Sequence, residues 1–177
     1  MRGVMTRTRT LEDLFVDELF DLYDAETQLM TALPRLARAA SSDAVRHTLD
    51  AHLDETRAHL ERLDRVCAMW HRTPDGRHCA GMAGILAEAM HLADDVTIDE
   101  MARDAGIITS ALRADHYQIV AYGTLVAWAN HLGRTDVANV LARTLLEERA
   151  ADVKWTLLAE GGLNVDAPDS AVPVLRQ

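Results

Sequence analysis

Proline and glycine are scarce, with 4 and 9 among 177 residues. Turn signals are therefore too few for a many-stranded sheet, and long helices are favoured. Two cysteines, Cys67 and Cys79, cannot make a disulfide scaffold. A chain of this length buries an ordinary core without covalent staples, so a reduced pair is expected. No run of about 18 apolar residues occurs, which excludes a predicted membrane span. The N-terminal "MRGVMTRTRT" leads into an amphipathic pattern instead of a short apolar core. A secretory signal is not supported, and a cytoplasmic protein is expected. A basic surplus is missing too: 18 Lys and Arg stand against 28 Asp and Glu, a net charge of −10. That balance argues against nucleic acid as a partner.

Helical periodicity is what the chain has instead. Leu19, Leu22, Leu29, Leu33 and Leu36 share one face of a helix predicted from Leu11 to about Ala39, and "SSD" at 41–43 supplies a stop and an N-cap candidate. A second helix runs from about Asp43 to His71, with Val45, Leu49, Leu53, Leu60, Leu63 and Cys67 on its stripe, until "TPDG" breaks it. A third runs from about Ile98 to His131, with Ile108, Leu112, Ile119, Tyr122 and Val126 facing inward, and ends at Gly133. A fourth spans about Asp136 to Glu160 and stops at "GGLN". Between the second and third lies "GMAGILAEAMHLADD", long enough for a short helix but not for a bundle member. Two helix pairs with tight internal loops and one long link predict an all-α, ferritin-like four-helix bundle with a single crossover carrying a short extra helix. Residues 10–162 form that bundle, with a flexible N-terminus over 1–9 and a tail over 163–177.

Every long helix also carries an acid on or near its apolar stripe. Glu26 falls between Leu22 and Leu29, Asp115 between Leu112 and Ile119, and Glu148 three residues after Leu145; Glu55 sits less tidily near His52 and His59. An ionised carboxylate in an apolar interior neutralises, finds a cation or reaches water. Glu55 to His59 and Glu148 to Asp152 share a one-turn spacing, so the two halves read alike: an acid helix, then a helix with paired ligands. Carboxylates with imidazole at mid-bundle are the ligand chemistry of a di-iron or di-manganese site. Glu26, Glu55, Asp115, Glu148 and Asp152 sum to −5 when ionised, nearly balanced by two divalent cations. The expected ligands are Glu26, Glu55, His59, Asp115, Glu148 and Asp152.

Some residues keep two readings. A single such acid can simply reach water along its stem. His52 reads either as a satisfied core histidine or as a ligand, and His59 likewise. His116 points about 100° away from Asp115 on a helix, which suits a neighbour of the ligands or an interface. Tyr23, Tyr117 and Tyr122 lie near the acids and could donate hydrogen bonds to them or carry an electron; ordinary core packing is the expectation. Trp70, Trp128 and Trp155 read as packing residues.

The segments "LEDLFVDELFDLYDAETQL", "HLDETRAHLERL", "GRHCAGM", "DHYQIVAYGTL" and "LLEERAAD", in that order, resemble the YciF and YciE type of bacterial ferritin-like stress-response proteins, over about residues 10–162. The resemblance implies a ferritin-like bundle, a homodimer, a dinuclear metal centre and a stress role; it names no reaction. Two departures from the wider ferritin pattern stand out. Its Glu, two residues, His pairing is replaced by four-residue spacing to His59 and Asp152, and Asp115 stands where Glu is typical. Three functions follow as candidates. One is a di-iron or di-manganese oxidoreductase reacting with oxygen or peroxide. The others are an iron-sequestering protein and a non-catalytic stress or interaction module whose acids are protonated or hydrated.

Overall fold

The computed structural model describes residues 8–74 and 76–161. Its helices are α1 (Leu11–Ala39), α2 (Asp43–Met69), α3 (Ala80–Asp94), α4 (Glu100–His131) and α5 (Thr135–Glu160). The four long helices and the short one match the expected order, with ends displaced by one or two residues. Of the expected terminal segments, 1–9 and 163–177, only residues 8 and 9 lie within the described residues.

Local chemistry sets the boundaries. Thr10 caps α1 by accepting from the Asp13 amide, while Asp13 accepts from the Thr10 amide in return. Asp99 caps α4 by accepting from the amides of Met101 and Ala102. Gly133, with φ 73°, turns the chain after α4, as its left-handed conformation demands. The α1–α2 turn holds a difference from expectation: Ser42 occupies the N-cap of α2 but its side chain makes no cap bond. Asp104, buried on α4, instead accepts the amides of Ser41 at 2.8 Å and Ser42 at 2.7 Å. A carboxylate from a distant helix thus satisfies donors that a helix start leaves open.

Packing follows the hydrophobic stripes. α1 pairs with α2 and α4 with α5; across the bundle α1 faces α4 and α2 faces α5. The crossover lays α3 along the α1–α4 edge, which is the ferritin-like single-crossover topology. One end is closed by Phe15 stacked on Trp70 at 4.3 Å, with the Arg134 guanidinium 4.6 Å above the Trp70 ring. Arg134 also donates to the Met69 carbonyl at the end of α2. Cys67 and Cys79 are both buried and unbridged, as expected. Among the described residues no helix is long and apolar enough to cross a membrane.

Candidate metal centre

The buried stripe of α2 runs through Val45, Leu49, His52, Thr56, His59, Leu63 and Val66, a succession of three- and four-residue steps that keeps one face inward. Its middle is polar: His52 and His59 point into the bundle almost in line. α4 does the same with Ala111, Asp115, Gln118, Tyr122 and Leu125, α5 with Leu141, Leu145, Glu148, Ala151 and Trp155, and α1 with Leu22, Glu26, Leu29 and Leu33. Glu26, His52, His59, Asp115 and Glu148 are each at most 3% exposed.

These five residues form two groups. One ligand atom from each of Glu26, His59 and Glu148 lies within 4.8 Å of the others, and the same holds for His52, Asp115 and Glu148. Glu148 belongs to both. His59 Nδ1 lies 3.0 Å from Glu148 Oε1 and 3.3 Å from Glu26 Oε1. Tyr122 donates to Glu26 Oε1 at 2.7 Å and Gln118 donates to Glu148 Oε1 at 3.0 Å. Glu26 Oε2, Glu148 Oε2, His52 Nδ1, both His59 nitrogens and both Asp115 oxygens have no hydrogen-bond partner although fully buried. Buried polar atoms are almost always satisfied, so seven orphans in one cluster are a strong signal of ligand chemistry. At bond lengths of about 2.0–2.2 Å, two ligands of one ion sit at most about 4–4.4 Å apart, a span comparable with the spacing within both groups. The oxygen and imidazole donor set suits iron and manganese.

The electrostatics point the same way. Burial, followed by the charges of Glu148, Asp152, Glu55 and Glu26, pushes the Asp115 carboxyl up to about 9. Burial also raises Glu148 to about 7, with His59 pulling against it. For His59 burial acts downward, but the carboxylates of Glu148 and Glu26 prevail and push it up to about 10. Burial depresses His52 to about 4. One imidazole is thus held cationic among the acids and the other neutral, with a lone pair to offer.

Of the residues expected from the sequence, Glu26, His59, Asp115 and Glu148 come together, joined by His52. Glu55 and Asp152 stand outside both groups. Glu55 is about one-third exposed and pairs with Lys154 at 3.1 Å; Asp152 is one-quarter exposed and lies 2.8 Å from the exposed His116. Angle alone does not separate them: Asp152 lies one turn, about 40°, from Glu148, and its Oδ1 is buried without a hydrogen-bond partner. Of the five acids counted from the sequence, three belong to the two groups, while Asp152 and Glu55 stand beside them with their charges acting on Asp115. Tyr122 is also corrected, because it not only packs but holds Glu26; Tyr117 similarly donates to Asp21 at 2.6 Å. Gln118, Arg62, Thr144 and Glu147 were not anticipated. Gln118 carries a legible signal, lying three residues beyond Asp115 on the same face. Arg62 donates from both Nη1 and Nη2 to Glu147, whose Oε2 is 3.3 Å from His59 Nε2. Trp128 is a half-buried packing residue and Trp155 a fully buried one, as expected.

A bundle of four long helices, one crossover and a buried carboxylate–imidazole cluster defines a ferritin-like helical protein. Within that class, the chain belongs to the family described as Domain of unknown function (DUF892), which it matches over residues 10–167. It is 39% identical over 164 residues to Protein YciF of Escherichia coli (strain K12), spanning 92% of this chain and 98% of that protein. The crystal structure of the E. coli stress protein YciF aligns with a TM-score of 0.82 at 38% identity, over 86% of this chain and 96% of that one. YcfI from Rhodopseudomonas palustris aligns at 0.81 and 36% identity, over 87% and 98%.

Proposed function

We propose that this protein holds two iron or manganese ions at mid-bundle and serves a stress response through their reaction with oxygen or peroxide. The observation that carries the reading is the sharing of Glu148 between two groups of buried, partly orphaned ligands. Glu26 and His59 would hold one ion, His52 and Asp115 the other, and Glu148 would bridge them. Such an ion pair supplies electrons to a small oxidant. The chain's own contribution is to exclude water from the cluster, to hold Glu26 through Tyr122, and to orient Glu148 through Gln118. The stress role rests on the likeness to the E. coli stress protein.

The natural assembly on this reading is a cytoplasmic homodimer. Leu146, Val153 and Leu157 leave an exposed apolar stripe along α5, in keeping with a partner copy. A dimer is too small to be an iron-storage cage.

Metal analysis of protein purified without chelator, followed by titration with Fe(II) and peroxide while absorbance is recorded, tests the proposal. Two ions per chain and an optical change are expected. One feature favours a second reading, a non-catalytic stress or interaction module: burial holds Asp115 protonated at neutral pH when no cation is near. That reading predicts no thermal stabilisation by either metal.

A further inference from the structure

We propose that Glu147, clamped by Arg62, is a positioning residue for His59, and that this support makes the Glu26–His59–Glu148 position the first of the two to take a divalent cation. The inference rests on the metal-centre reading and adds to it an order of filling.

His59 has a different neighbour at each ring nitrogen. Nδ1 faces Glu148 and Glu26, and Nε2 lies 3.3 Å from Glu147 Oε2, an ion-pair contact that is not aligned as a hydrogen bond in the metal-free chain. A carboxylate on the far nitrogen fixes a ligating imidazole's tautomer and orientation and raises its basicity. Glu147 is itself pinned. Arg62 reaches both its oxygens, at 2.9 Å for Oε1, and Arg143 donates to Oε1 at 3.2 Å. Arg62, only 6% exposed, also donates to Thr144 at 3.1 Å. His59 and Arg62 lie one turn apart on α2, and Thr144 and Glu147 one turn apart on α5. The two helices are therefore cross-tied beside the ligand.

The other position is held more loosely. The nitrogens of both histidines lack aligned hydrogen bonds where they are buried, but His52 Nε2 is 3.8 Å from Asp115, against 3.0 and 3.3 Å from His59 Nδ1 to Glu148 and Glu26, and both Asp115 oxygens are without partners. Glu26, which belongs to the first group alone, accepts a hydrogen bond from the buried Tyr122, whereas Glu148, held by Gln118, is shared by both. Ligands already fixed lose less freedom on binding. The first ion therefore enters the prepared group, and its charge relieves the carboxylate repulsion so that the second joins His52 and Asp115.

Titration of metal-free protein with Mn(II), followed by electron paramagnetic resonance, reads this order directly. One equivalent should give an isolated manganese signal, and the second should replace it with a spin-coupled one. D115N should remove the second step and leave the first within about threefold. E147A should weaken the first step by about 10–100-fold, the range expected for loss of such a partner. E147Q keeps an oxygen acceptor and should recover most of that loss. R62M frees Glu147 without touching His59 and should shift the first step in the same direction, which covers the case in which E147A fails to fold. Thermal midpoints of the metal-free variants are measured alongside. Lower midpoints with unchanged first-step affinity would overturn the positioning role. Loss of the first step in D115N, or a single shared affinity in the unaltered protein, would overturn the order. Absence of any Mn(II) binding would overturn the metal centre itself.

Discussion

Metal-free protein should lose stability as pH rises from 7 to 9, and bound cation should remove that loss. The perturbation is pH alone, and the sign follows from proton linkage. Asp115 has a folded pKa of about 9 against an ordinary 3.8, so between those values the folded state binds the proton that the unfolded chain has released. Its stabilising effect is complete at low pH and disappears as pH approaches 9. His59, raised from 6.5 to about 10, contributes stability that is full below 6.5 and lost as pH climbs toward 10. Both groups act in the same direction across the chosen window. Glu148, at about 7, is half-titrated at pH 7 and adds to the loss only at the start of the window, and His52, depressed to about 4, acts below neutrality. One extra proton on the folded state corresponds to about 1.4 kcal/mol per pH unit. Because Asp115 and His59 feel the same carboxylates, a net slope near one proton is expected, or about 3 kcal/mol over the window. Urea unfolding followed by circular dichroism at pH 7, 8 and 9, with chelator and with saturating Mn(II), measures it. Metal binding requires deprotonated ligands, so the slope with Mn(II) should flatten or reverse. A flat profile in chelator would refute the idea that these groups are forced together without compensation.

Other outcomes follow from the same contacts. Tyr122→Phe removes the donor to Glu26 Oε1 and should cost the metal-free protein about 1–3 kcal/mol in denaturant unfolding. Asp104→Ala strands the amides of Ser41 and Ser42 and should cost about 2–4 kcal/mol, equally with and without Mn(II), since it lies in the α1–α2 turn. Glu55→Gln and Asp152→Asn remove partly exposed ion pairs and act on Asp115 only through their charge. Calorimetric Mn(II) affinity should therefore change far less than in Glu148→Gln, and stability by under about 1 kcal/mol. Introducing Glu at both Val153 and Leu157 should convert a dimer to a monomer in sedimentation velocity while leaving the helical spectrum intact.

The helices and their order were legible because apolar stripes, the TPDG break and Gly133 are strong local signals, and nothing in the packing overrides them. Glu26, Asp115 and Glu148 were legible for the same reason, each being a polar interruption of an otherwise apolar face. α2 was read less well. Its true inward face replaces apolar residues with His52, Thr56 and His59 over two turns, so the hydrophobic pattern leans toward Leu53 and Leu60, which are only partly buried. That tilt left both histidines open to two readings and admitted Glu55 beside them. On α4, reading Ile119 as the inward residue likewise hid Gln118. The apparent likeness of the two halves has a limit of the same kind. α5 offers Glu148 with Ala151 one turn on, where α2 offers two imidazoles. Asp152, one turn and about 40° from Glu148, keeps one buried oxygen beside the cluster while pairing with the exposed His116. A hydrophobic stripe loses its axis wherever a run of polar residues takes over the buried face, and in this fold the chemistry lies in that run. A buried stripe is therefore better traced from its apolar ends, Val45 and Leu63 on α2, than from the residues between them.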